Sequence, residues 1–162
     1  HNTACINGNE QHQIWGAFRI GARGTVTAVQ VSQEVFKAEF TAFQSSSKQQ
    51  ICHKREVLFH STESFSVIDT ILGQAQQDIE IYWHLNIGLS AQIIDKTIEI
   101  YDEDLKLVTV IKLQHSSVIP SITTSAVYPE FGRRLQRSCI VINLKSEAPV
   151  EKIHCQFSKY HG

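Results

Sequence analysis

The segment Asp78-Ile79-Glu80-Ile81-Tyr82-Trp83-His84-Leu85 alternates apolar and polar side chains with a period of two. In an extended chain successive side chains leave opposite faces, so Ile79, Ile81, Trp83 and Leu85 share one face while Glu80, Tyr82 and His84 share the other. A strand built this way has one face that must be covered, which predicts a second layer packed against it.

The same test, worked outward, selects Phe65, Val67, Asp69 and Ile71, then Ile98 and Ile100, then Ile140, Ile142 and Leu144, and finally Ile153, Cys155 and Phe157. Turn-forming residues fall between these runs: Asn7-Gly8-Asn9, Gly21 with Gly24, Ser45 to Ser47, Leu72-Gly73-Gln74, Asp102-Glu103-Asp104 and Tyr128-Pro129-Glu130. About ten to twelve short strands separated by turns predict an all-β antiparallel sandwich, because two amphipathic sheets must cover each other's apolar faces. Residues 116–125 are rich in Ser and Thr and contain Pro120, which suits a loop or an edge strand where a missing N–H is harmless. No internal repeat or low-complexity linker interrupts the pattern, so a single domain over residues 1–162 is expected.

Composition narrows the function classes. Fifteen Lys and Arg against sixteen Asp and Glu give a formal net charge of −1, so the basic footprint of a nucleic-acid-binding protein is absent. No run approaches the roughly 18 to 20 apolar residues of a membrane span, and no basic segment followed by an apolar stretch opens the chain. With 42% hydrophobic residues over 162 positions, one real core is affordable. The first residue is His1 and there is no Met, so the chain is expected to start after processing or to be part of a longer protein.

Cys5, Cys52, Cys139 and Cys155 form no CxxC pair, which removes zinc-finger and thioredoxin-like spacings. They allow two disulfides in three connectivities, or four small thiols buried on strands. His1 offers an α-amino group and an imidazole to one metal ion, the chelate used by copper-dependent polysaccharide monooxygenases, which are also β-sandwiches. A copper site would need a second histidine, and nothing in the spacing selects among His53, His60, His84 and His115. The alternative is that His1 is first only because the chain was cut there.

The segment His1-Asn2-Thr3-Ala4-Cys5-Ile6-Asn7-Gly8-Asn9-Glu10-Gln11, followed by Ile14-Trp15-Gly16-Ala17-Phe18-Arg19, is more specific. Later come His53-Lys54-Arg55-Glu56-Val57, Val67-Ile68-Asp69-Thr70-Ile71-Leu72-Gly73, Trp83-His84-Leu85 and Ser125-Ala126-Val127-Tyr128-Pro129-Glu130-Phe131-Gly132. In this order the motifs resemble those of heparinase II/III-like polysaccharide lyases, and the resemblance spans nearly the whole chain. Each motif is of moderate specificity, and their co-occurrence carries the weight.

The resemblance implies a helical toroid upstream, absent from this chain, with a β-sandwich after it and a cleft between them in which uronate-containing polysaccharides are cleaved by β-elimination. That chemistry needs a group to neutralise the uronate carboxylate, donors for the developing charge, a base and an acid. In the family these fall to residues in segments upstream of the His-Asn-Thr motif, so no catalytic residue is assigned here, and Tyr82, Tyr101 and Tyr128 are not promoted. Some members hold zinc with two His and one Asp. His1 is similar in position to one of those ligands, and one imidazole alone does not make a tetrahedral site. Zinc is therefore implied for the parent protein and not for the isolated chain.

Trp15 and Arg19, with Phe18 between, offer an aromatic face and a guanidinium to a sugar and its carboxylate; the structural alternative is a packed Trp and a solvated Arg. Arg133, Arg134 and Arg137 read as a solvated face. Asp69, on the apolar side of its strand, calls for backbone or Arg hydrogen bonds, with Arg55 as a structural partner. Three readings stay open: the accessory sandwich portion of a lyase acting on acidic polysaccharide, a copper monooxygenase using His1, and a non-catalytic carbohydrate-binding module. Heparan sulfate, alginate and capsular polymers are all handled by members of the resembled family, and the resemblance implies a periplasmic or secreted location.

Overall fold

A computed structural model describes residues 2–16, 19–43, 50–115 and 117–161. The described residues form fourteen strands and no helix: β1 (Ala4–Ile6), β2 (His12–Gly16), β3 (Arg19–Arg23), β4 (Thr25–Val31), β5 (Val35–Phe43), β6 (Gln50–Ser61), β7 (Ser64–Leu72), β8 (Asp78–His84), β9 (Ser90–Ile94), β10 (Thr97–Tyr101), β11 (Leu107–Leu113), β12 (Ile119–Glu130), β13 (Arg133–Lys145) and β14 (Val150–Lys159). They make a four-stranded sheet in the order β1-β8-β13-β12, an eight-stranded sheet in the order β4-β5-β6-β7-β14-β11-β10-β9, and the hairpin β2-β3. The chain is an all-β sandwich, with more strands than the ten to twelve expected because short elements such as β1 carry no alternation of their own.

The alternating segment 78–85 is β8 with the residue after it, in the interior of the small sheet, and Ile79, Ile81 and Leu85 are buried as its periodicity requires. They meet Ile140, Ile142 and Leu144 of β13 and, from the large sheet, Val67, Ile71, Ile98, Ile111, Ile153 and Cys155 in one core. The β-branched side chains at most of these positions are stiff and suit a pleated interior. β7 departs from simple alternation: Ser66 and Ile68 on its other face are buried as well, as befits a strand deep in an eight-stranded sheet.

Several turns lie where the sequence places them. Asn7 and Gly8 both adopt positive φ (51° and 71°), and Ile6 and Asn9 exchange backbone hydrogen bonds around them, the geometry of a two-residue hairpin turn. Two expectations need correction. Gly21 lies inside β3, and it is Gly24 that sits close under the sheet, where a Cβ would overlap the Phe40 ring. Tyr128-Pro129-Glu130 belong to β12, with a register shift between Val127 and Glu130 absorbing the proline; the turn falls at Phe131-Gly132, where Gly132 (φ 76°) supplies the left-handed conformation. Pro120 lies on β12, the outer strand of the small sheet, as an edge position permits. The expected turn at Ser45 to Ser47 lies outside the described residues.

All four cysteines are free thiols, with Cys5, Cys139 and Cys155 buried on strands. Burial pushes the Cys155 thiol up to about 12, so it packs as a small apolar group. The large sheet is wider than the small one. At its β4-β5 end Val29, Val31 and Phe36 are exposed, although the β5 and β6 register puts Phe36 beside Val57 on the core-facing side.

Candidate functional site

β1, which carries the first motif of the chain, is held from two sides. On the inner side Asp69 of β7 is fully buried and stands directly across from Arg55 of β6. Arg55 donates from Nε to Asp69 Oδ1 (2.7 Å) and from Nη2 to Oδ2 (2.9 Å), a fork of two parallel bonds. His53 Nε2, 2.6 Å from Oδ1, completes the set. The third guanidinium nitrogen, Nη1, donates to the Asn2 carbonyl at 2.6 Å. The guanidinium carbon lies 4.6 Å from the centroid of the Trp83 ring, and Trp83 packs its edge against Phe157.

Burial pushes the Asp69 carboxyl up, but the His53 and Arg55 hydrogen bonds and the guanidinium charge outweigh it and hold the group below the ordinary carboxylate range. The structural role expected of Asp69 with Arg55 is therefore observed. Its purpose is visible one bond further on, since Arg55 transmits the anchor to Asn2.

On the other side β1 lies beside β8, with Ala4 across from Ile81. The Asn2 side-chain oxygen accepts the His84 N–H (2.7 Å), and the Thr3 carbonyl accepts the Tyr82 N–H (2.9 Å). The start of β1 is thus fixed beside the end of β8, and the polar face of β8 opens next to it.

That face is the outer surface of the small sheet. Register puts Cys5 beside Glu80, Cys139 beside His84, and Ser125 beside Arg137. His84 Nδ1 lies 2.9 Å from Ser125 Oγ, and Arg137 Nε donates to the same oxygen at 3.4 Å. The Tyr82 and His84 rings stack with centroids 6.2 Å apart. Burial, with the charge and hydrogen bond of Glu80, pushes the Tyr82 hydroxyl up to about 12. Burial, with the charges of the N-terminus and then of Arg137, holds His84 below its ordinary value. Neutral His84 and protonated Tyr82 are hydrogen-bonding groups at pH 7, and Arg137 supplies the fixed positive charge.

A model of the heparinase II/III-like C-terminal region matches residues 1–156. The chain belongs to that family. Its fold is similar to part of the heparan sulfate lyase HepC from Pedobacter heparinus, at TM-score 0.74 and 16% identity, with 100% of this chain and 24% of that one covered. A mutant of the same lyase superimposes at TM-score 0.73 with 17% identity and the same coverage. A heparinase III gene product gives TM-score 0.71 and 12% identity, again with 100% and 24% covered. The chain thus spans about a quarter of the length of these structures. No curated protein matches it.

The heparinase II/III-like motifs now have places. His1 and Phe18 lie outside the described residues. Trp15 is on β2, with its side chain outside the described part, and Arg19 is exposed on β3, across from Gly16. Among the remaining histidines, His60 Nε2 bonds to Ser66 Oγ at 2.8 Å, and His115 Nε2 approaches Glu151 at 3.8 Å. No group of three His, Cys, Asp or Glu among the described residues is arranged to hold a metal ion, and both Asp69 oxygens are occupied by Arg55 and His53. The described donors alone therefore do not make the zinc set that the family resemblance implies.

Tyr101 donates to Glu99, and Tyr128 is exposed on β12. Of the three arginines read as one solvated face, Arg133 and Arg134 are exposed, and Arg133 pairs with Glu130. Arg137 is half-buried, beside Ser125 of β12 and two residues from Cys139, the last residue of β13 in register with β8. The alternation of β8 had already put Glu80, Tyr82 and His84 together. What the sequence could not show is that β12 and β13 bring Ser125 and Arg137 to them.

Proposed function

We propose that this chain is the C-terminal β-sandwich portion of a polysaccharide lyase that cleaves uronate-containing polysaccharides by β-elimination. The observation that carries this reading is the double anchoring of Asn2, by Arg55 from within and by the His84 N–H at the end of β8. It presents the first motif of the heparinase II/III-like family beside the half-buried polar face of β8. The chain's part is accessory: it holds that motif in place and forms one wall of the cleft, while base and acid come from segments upstream of it. His1 is the residue through which zinc would be bound in the parent protein, and Trp15 and Arg19 are sugar-contacting candidates. A periplasmic or secreted location suits a polymer substrate.

Beta-elimination creates a conjugated unsaturated uronate, so ultraviolet absorbance reads the reaction directly. The isolated chain, incubated with heparan sulfate or alginate, is expected to give a flat trace, and the parent protein a rising one. A rise with the isolated chain overturns the accessory role. A parent protein inert toward every uronate polymer tried overturns the lyase reading.

A further inference from the structure

We propose that Arg137, flanked by Ser125 and His84 on the outer face of the small sheet, is a binding site for an oxyanion, the carboxylate or sulfate group of an acidic polysaccharide. The proposal rests on the lyase reading for the class of polymer and on the geometry for the site.

Arg137 is half-buried, yet among the described residues no carboxylate pairs with it, and its hydrogen bond is one long contact to a neutral hydroxyl. A guanidinium partly removed from water normally finds an anion, as Arg55 does in this same chain. The surroundings of Arg137 are not those of a cation merely waving in solvent. Ser125 Oγ sits between it and His84, so two nitrogen-bearing side chains converge on one hydroxyl on the half-buried outer face of the small sheet. The one carboxylate on that face of β8, Glu80, is four residues from His84, roughly 13 Å along the strand, and is turned toward Tyr82 and Cys5. A ligand oxyanion over Arg137 would take its free N–H donors and displace the long bond to Ser125, leaving that hydroxyl free to donate to the same anion. The site lies next to the Asn2 anchor, since His84 bonds both Asn2 and Ser125.

Arg134 provides the control. It is one of the same trio of arginines and is exposed, but its odd-even position on β13 puts it on the opposite face from Arg137.

The test is a titration of the 162-residue chain with saturated heparan sulfate and alginate oligosaccharides, followed by the Arg137 Nε–H and Ser125 amide resonances, with a neutral cello-oligosaccharide as comparison. The expected result is that an acidic oligosaccharide moves both resonances, the neutral one moves neither, Arg137→Gln weakens binding about tenfold, and Arg134→Gln leaves it within twofold. Arg137→Lys, which keeps charge but not the fork, should fall between. Equal weakening by Arg134→Gln would mean that net charge alone is sensed, and shifts that map elsewhere, or no binding at all, would equally overturn the site. If Arg137→Gln does not fold, the resonances of the unaltered chain still decide. Because binding is read without turnover, failure here leaves the absorbance test of the lyase reading untouched, and the converse holds too.

Discussion

Arg55 and Arg137 are the same residue type in opposite circumstances. Arg55, with its side chain 18% exposed, is forked to a fully buried carboxylate, bonded to a backbone carbonyl and stacked on Trp83. Arg137 is half-buried and makes one long bond to Ser125. The first is saturated, and every one of its contacts holds two elements of the fold together. The second has donors to spare and faces outward. The contrast separates a cation that builds the structure from one available to a ligand, and it does so by counting partners, which for Arg137 the sequence alone does not give.

The largest effect expected is from Asp69→Ala, which leaves a buried guanidinium without its counter-charge and should cost about 3–5 kcal/mol, read from the midpoint of urea unfolding. A loss below about 1 kcal/mol would erase the distinction between the two arginines. Core truncation sets the scale: Ile81→Ala, at a fully buried position on the strand between the two arginines, should cost about 2–5 kcal/mol by the same measurement.

Acid sharpens the comparison next. The Asp69 carboxyl has a folded-state pKa below its unfolded value of about 3.9, so its contribution is fully present above that value and is lost as pH falls through the lower folded pKa. Unfolding midpoints of the parent chain and Asp69→Asn, followed from pH 7 to pH 2, should converge at the acid end. Arg137→Gln should shift stability by no more than about 0.5 kcal/mol, in contrast to its expected effect on anion binding. Arg133→Ala, which breaks only the exposed pair with Glu130, should leave the unfolding midpoint where it was.

Alternation made the sandwich legible. Ile79, Ile81 and Leu85, and Ile140, Ile142 and Leu144, are buried where their parity puts them, because the two-residue repeat of an extended chain is a local property. Asp69 was legible for a related reason: a carboxylate on an apolar face must find a donor, and Arg55 was near enough in sequence to be its hairpin neighbour. His53, which shares the same carboxylate, was read only as one of four histidines open to a metal and as part of a family motif, since no local repeat ties it to Asp69. The turn at Phe131-Gly132 was placed too early because Pro129 is a strong turn former, and at a bulge in an edge strand it is tolerated without one.

The sequence by itself determined the class of fold, the strands whose faces alternate, the buried carboxylate that needed a partner, and membership in a family through motifs in order. Only the tertiary structure decided which polar residues stand together. Asn2, His84, Ser125 and Arg137 come from three parts of the chain, and they meet because β1, β8, β13 and β12 are neighbours in one sheet at one register. Strand pairing between distant segments depends on how the whole set of apolar faces packs, and no local repeat encodes it.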